Sequence, residues 1–301
     1  MNHLLSAILF LTISNLLAAN IENWPGWRGP RGDGSSYDPK VPIKWNVEKN
    51  VVWKTPLPGK GHASPIVWKN CVYLITAIKN TQQRVLLCID RRTGRKLWQK
   101  DILNSSFEGI HRLNSRASST PVTDGKRLYL SFLDGRNMFV AAYDLDGNLL
   151  WKKRPGAFSS IHGYCSSPIL WKDKIIINGD HDGDGYIVAL NQATGKTLWK
   201  TERPNKTRSY CTPIIRNIAG RNQMILSGSL CVASYDPDTG KQHWIVDGPT
   251  EQFVASLVYN GELLFMTCGF PKRFMQAIDP TGSGNVTKSH VMWTTTKGCS
   301  Y

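Results

Sequence analysis

From Ser64 onward, apolar runs of three to six residues alternate with turn residues, mostly Gly, Asn, Asp and Pro. Runs this short, rich in β-branched and aromatic side chains, predict strands rather than helices. The first four are Ser64–Trp68, Val72–Ile75, Val85–Ile89 and Lys96–Trp98, after which the pattern starts again. Tryptophans mark the restarts. Trp53, Trp98, Trp151, Trp199, Trp244 and Trp293 are spaced by 45, 53, 48, 45 and 49 residues.

The phrase before each tryptophan also repeats, as Cys88-Ile-Asp-Arg-Arg-Thr-Gly-Arg-Lys-Leu-Trp98, Ala142-Tyr-Asp-Leu-Asp-Gly-Asn-Leu-Leu-Trp151, Ala189-Leu-Asn-Gln-Ala-Thr-Gly-Lys-Thr-Leu-Trp199 and Ser234-Tyr-Asp-Pro-Asp-Thr-Gly-Lys-Gln-His-Trp244. A fifth copy, Ala277-Ile-Asp-Pro-Thr-Gly then Val291-Met-Trp293, carries an insertion in its hairpin. Within the phrase, Asp caps a turn through its side chain and Gly takes a positive φ, so the outer strand folds back. An inner-strand signal recurs at Ser64-Pro65, Thr120-Pro121, Ser167-Pro168, Thr212-Pro213 and, degenerate, Ser256-Leu257. Four strands in about 45 residues is the arithmetic of a β-propeller, one twisted sheet per blade. The repeated tryptophan is then a packing residue between neighbouring blades.

The Ala-x-Asp-x-x-Thr-Gly-Lys-x-x-Trp phrase resembles the tryptophan-docking repeat of the quinoprotein-like propellers, a group that includes pyrroloquinoline quinone (PQQ) dehydrogenases and BamB. The opening Trp24-Pro-Gly-Trp-Arg-Gly-Pro-Arg-Gly-Asp-Gly34 resembles the start of secreted bacterial PQQ-like repeat proteins. The resemblance spans residues 24–301 and implies an all-β propeller of four-stranded blades, as in quinoprotein alcohol dehydrogenase. It does not imply one activity, since enzymes and scaffolds share the repeat.

At the N-terminus, the apolar stretch Leu4–Leu17 followed by Ala18 and Ala19 reads as a signal peptide cut near Ala19, which places the mature protein in the periplasm or outside the cell. The expected organisation is a signal peptide over 1–19, an extension over 20–50 and a propeller over 51–301. Val51-Val52-Trp53 matches an outer strand without its own blade, and Tyr164-Cys165-Ser166 has a counterpart in Cys299-Ser300-Tyr301. Five blades are visible, and the expectation is that further strands, in a ring of seven or eight blades, follow Tyr301.

Charge adds a preference for anions. There are 37 Lys and Arg against 22 Asp and Glu, a formal net charge of +15. With no Lys/Arg run of five, nucleic acid is disfavoured, leaving a protein partner, an anionic small molecule or a polysaccharide. After signal removal no transmembrane segment is expected. Seven cysteines lie far apart with no C-x-x-C pair, so they are read as buried small hydrophobes rather than metal ligands.

Candidate chemistry falls on the loops between blades and between second and third strands, all expected at one end of the ring and expected to be long. They hold Lys60, His62, Arg112, Arg116, His162, Tyr164, Arg208, Tyr210, Phe253, Lys272 and Arg273. Recurring cations beside aromatic rings suit a planar polyanion such as PQQ, by charge-assisted hydrogen bonds and stacking. Solvated loop charges are the plainer explanation. Asp180-His-Asp182-Gly-Asp184-Gly185 matches the start of a calcium loop, although Asn191 stands where its closing Glu belongs, and an Asp-Gly turn accounts for the run as well. Hydrolase, zinc-protease and P-loop motifs are absent, and so are the adjacent cysteines of the quinoprotein alcohol dehydrogenases. The leading reading is a non-catalytic exported scaffold, the alternative a PQQ-dependent dehydrogenase acting on alcohols or sugars.

Overall fold

A computed structural model describes residues 22–297; the expected signal peptide, 1–19, and the phrase Cys299–Tyr301 lie outside the described residues. Five sheets follow one another along the chain, over residues 66–104, 122–153, 169–202, 214–247 and 258–295, here blades 1 to 5. In blade 1 the strands are Ile66–Trp68, Cys71–Ile78, Gln83–Asp90 and Lys96–Asn104, paired antiparallel in chain order. The other blades repeat this order, giving the expected all-β propeller of four-stranded blades.

The middle strands read as continuous apolar runs because both of their faces are covered, in blade 1 by blade 2 on one side and by Trp53 on the other. Val85, Leu86, Leu87 and Cys88 are fully buried, as are Val140, Ala141 and Ala142 in blade 2. The core accordingly lies between sheets: one cluster joins blades 1 and 2, another blades 2 and 3, and a third blades 3, 4 and 5.

Each phrase builds the same local structure. Asp90 Oδ1 accepts the Arg92 and Thr93 amides at 3.0 and 2.8 Å, Gly94 N–H donates to Asp90 O at 2.9 Å, and Gly94 has φ 73°. In all five blades the tryptophan stands opposite the small residue that opens the phrase, Cys88, Ala142, Ala189, Ser234 or Ala277, and the register shifts at the next residue. A large ring fits there because its partner is small, and the bulge twists the outer strand toward the next blade.

The ring then docks on the following hairpin. Trp53, Trp151 and Trp199 donate their indole N–H to the carbonyls of Arg91, Gln192 and Pro237, at 2.9, 2.9 and 3.3 Å. A Cβ added to Gly94, Gly147, Gly195 or Gly240 would meet the ring of Trp53, Trp98, Trp151 or Trp199 at 2.6 to 3.0 Å. Glycine serves the turn and the close approach together. Blade 5 differs through its insertion: Gly284–Asn285 pairs parallel with Trp244 and Ile245, giving blade 4 a fifth strand.

The segment from Asn23 to Arg31 crosses the inner strands at the end where the first turns of the blades lie. Trp24 pairs with Val67 through two hydrogen bonds of 2.8 and 2.9 Å, Thr123 N–H donates to Pro25 O at 2.8 Å, and Arg216 reaches Arg31 O at 3.1 Å. Trp27 lies in its middle.

Among the described residues, Cys88, Cys211, Cys231 and Cys268 are buried, and Cys71 and Cys165 partly so. No helix among the described residues is long and apolar enough to cross a membrane.

Candidate functional site

The loops between blades, residues 105–121, 154–168, 203–213 and 248–257, are long and gather at the end opposite the Asp-x-x-Thr-Gly hairpins. The turns between second and third strands share that end but are long only in blades 3 and 5, over 180–185 and 269–273. In blade 4, Ser229 and Leu230 both take positive φ, 53° and 56°, which closes that hairpin in two residues.

Each loop between blades ends in a hydroxyl residue that serves its neighbour. Ser64 N–H donates to Thr120 Oγ1, Thr120 N–H to Ser167 Oγ, and Ser167 N–H to Thr212 Oγ1, each at 3.0 Å. The Ser/Thr-Pro signal is therefore a seam between blades as well as the start of a strand. Three residues before each proline, and at the matching place in blade 5, stand His62, Ser118, Cys165, Tyr210 and Val254, and these side chains line a pit of about 240 Å³ in the axis of the ring. Asn114, Ser167, Thr212 and Ser256 complete its wall. Trp27 forms the floor, its indole N–H donating to Ser256 Oγ at 3.4 Å.

The predicted site residues separate into groups. His62 and Tyr210 line the pit. His162 lies beside them, its ring 6.0 Å from Tyr210 and 5.3 Å from His111. Burial, then the charges of Arg208 and His111, hold His162 below the ordinary imidazole range. Arg208 pairs with Asp182 at 2.6 Å. The remaining positions lie elsewhere. Arg116 donates twice to Glu108 O, at 3.1 and 3.0 Å, and its guanidinium covers Phe107. Exposed Lys60 pairs through its backbone with Ala77. Tyr164 is a core residue, its hydroxyl 3.1 Å from Ser131 Oγ, and Phe253 is fully buried. Arg112 and Lys272 are exposed.

The three aspartates do not converge on one point. Asp180 is held by Arg203 at 2.8 Å with both side chains fully buried, Asp182 by Arg208, and Asp184 by Lys206 at 2.8 Å at the surface. Three cations arriving from the next loop divide the carboxylates among them. Among the described residues no three His, Cys, Asp or Glu side chains are grouped to hold a metal ion.

The pit does not suit PQQ either. A tricarboxylate needs cations at its rim or wall, and no Lys or Arg side chain lines the pit. The arginines expected there, Arg116 and Arg208, are committed to Glu108 O and Asp182.

Sequence reasoning overlooked the apolar rim. Leu113, Ile161, Val254 and Phe270 are 68, 66, 57 and 46% exposed, and each comes from a different loop at the pit end. Their signal is the repeat itself, since no blade geometry calls for a large apolar residue at these tips.

Residues 81–296 match the family described as outer membrane protein assembly factor BamB. Among curated proteins, methanol dehydrogenase [cytochrome c] subunit 1 of Methylorubrum extorquens is 24% identical over 165 residues, 49% of this chain and 26% of that protein. The chain thus spans about a quarter of the length of the curated relatives it matches. Two solved propellers resemble it. Quinohemoprotein alcohol dehydrogenase from Comamonas testosteroni has TM-score 0.57 at 17% identity, covering 75% of this chain and 42% of its own. BamB from Moraxella catarrhalis has TM-score 0.53 at 15% identity, covering 81% and 65%.

Proposed function

The chain belongs to the family described as outer membrane protein assembly factor BamB, built of PQQ-like propeller repeats, and on that premise we propose that it is an exported, non-catalytic scaffold that docks a protein partner on its loop end. The observation that carries this reading is the apolar rim: four large side chains, from four loops, stand out around one mouth of the ring. Exposed apolar side chains gathered at one end of a rigid scaffold mark an interaction surface. The family description supports, as the class of partner, a protein of outer-membrane assembly.

The quinoprotein alternative draws on the likeness to alcohol and methanol dehydrogenases. Against it stand a pit lined by no Lys or Arg and the committed arginines. Titrating the protein with PQQ and Ca²⁺ separates the two. The scaffold reading expects no bound-quinone spectrum and no dye reduction with methanol, ethanol or glucose. A stoichiometric quinone spectrum with alcohol-dependent dye reduction would replace it with the enzyme reading.

A further inference from the structure

A second depression lies on the same end, off the axis. It is a groove of about 530 Å³ between the loop segments 106–110 and 158–161, above the Gly135–Arg136 turn of blade 2. Phe107 and Phe158 bring aromatic surface to it, and Arg136 is its exposed cation, in none of the ion pairs among the described residues.

Both walls are held more firmly than loop ends require. Arg84, a fully buried arginine in a strand of blade 1, donates to Ser105 O at 2.6 Å and pairs with the Glu108 carboxylate, while its guanidinium stacks on Phe107 at 4.5 Å. Arg116 covers Phe107 as well, at 4.7 Å, and takes up Glu108 O. The corresponding strand position in blade 2 is Met138, so the fold of a blade does not demand this arginine. On the other wall, Phe158 N–H donates to Arg136 O and Asp182 N–H to Ser159 O, at 2.9 and 2.8 Å; Arg208 fixes Asp182 in turn. Rigid walls lower the ordering cost of a bound segment.

Gly109 adds an independent observation. Its φ lies outside the left-handed region, and a Cβ built on it meets no atom within 4 Å. Neither turn geometry nor packing asks for glycine there. What a side chain at 109 would occupy is the groove itself, and glycine is the residue that lets another backbone approach closely.

The geometry points to a docking groove for an extended peptide segment that carries a carboxylate, with the chain laid along Gly109, apolar side chains on Phe107 and Phe158, and the carboxylate on Arg136. The choice of an acidic segment rests on charge complementarity with Arg136, in a protein of net charge +15. The inference rests on the scaffold reading and specifies the chemistry of the partner's contact.

The test pans a display library of random seven-residue peptides with free C-termini against the whole protein. Recovered peptides are expected to present an acidic or terminal carboxylate beside apolar residues. Their affinity, read by fluorescence polarisation of the labelled peptide, should fall at least tenfold in Gly109→Leu and in Arg136→Glu and stay within twofold in Gly109→Ala. Thermal melts of all three variants should coincide with the parent. Peptides that bind Gly109→Leu as tightly as the parent, or a library that returns no binder, would overturn the proposal. Sedimentation checks the other occupant: a dimer that Gly109→Leu disperses would assign the groove to a second copy and equally overturn it. Should crosslinks to a partner form from the rim at Leu113 and Val254 while the library returns nothing, the scaffold reading stands and only the groove falls.

Discussion

Replacing Arg203 with methionine is expected to lower stability by about 3–5 kcal/mol, which corresponds to a fall in Tm on the order of 10 °C. The guanidinium is fully buried, with Nε 2.8 Å from Asp180 Oδ1, Nη2 2.9 Å from Gly228 O and Nη1 on the Tyr235 hydroxyl. It ties the end of blade 3 to blade 4. Desolvation of the two charges offsets much of their attraction, so the intact pair adds little net stability. Its removal by halves is the costly event, because Asp180 would then remain buried without a counter-charge. Differential scanning calorimetry of Arg203→Met and of the double variant Asp180→Leu/Arg203→Met separates these effects. The single variant should lose most of the stability and the double variant should regain most of it. A single variant as stable as the parent would mean that Asp180 finds another partner or takes up a proton at little cost.

Trp151→Ala is expected to cost about 3–5 kcal/mol, as large-to-small changes in packed cores do. The ring is 8% exposed, lies against Gly195 of the next blade and donates its N–H to Gln192 O. Trp293 occupies the same place in the repeat, yet it is 41% exposed, packing against Phe265 of its own blade at 6.2 Å. Trp293→Ala should therefore cost only about 1 kcal/mol on the scale of partial apolar burial. Urea denaturation of both variants makes the comparison within one protein. Equal losses would show that the tryptophan acts inside its own blade rather than between blades.

The parts of the fold that could be read from the sequence are those set by local geometry. The Asp cap, the positive φ of Gly94 and the small residue facing each tryptophan all lie within about ten residues of one another, and the repeat displays each of them several times. Partners from separate loops were not legible. Asp180, Asp182 and Asp184 have the spacing of a calcium loop, but spacing within one loop cannot reveal that Arg203, Arg208 and Lys206 come from the next one. Tyr164 and Phe253 looked like loop aromatics because they precede inner strands, and the packing of adjacent blades buries both.

For the site, His62 and Tyr210, expected on the loops at the mouth of the channel, line the pit. Arg116 was assigned to the same mouth, whereas its actual work is to clamp the 105–108 segment. A signal for that clamp existed in Arg84, a charge placed where blade 2 has Met138. With five copies of one unit in a single chain, Arg84 stands out against Met138, Gly185 and Leu230 at the same place in blades 2, 3 and 4. Gly109 and the rim residues come from the loops, where the blade geometry calls for no particular side chain, and their placement at one end is what draws them together.

The central claim is that the loop end, not the hairpin end, meets a protein partner. A photo-crosslinking amino acid placed singly at Leu113, Ile161, Val254 and Phe270, and for comparison at the exposed Lys126 and Glu262 of the opposite end, tests it in the native cell. The account predicts a common crosslinked protein band from the four rim positions and none from the two at the hairpin end; bands from Lys126 and Glu262 with none from the rim would contradict it.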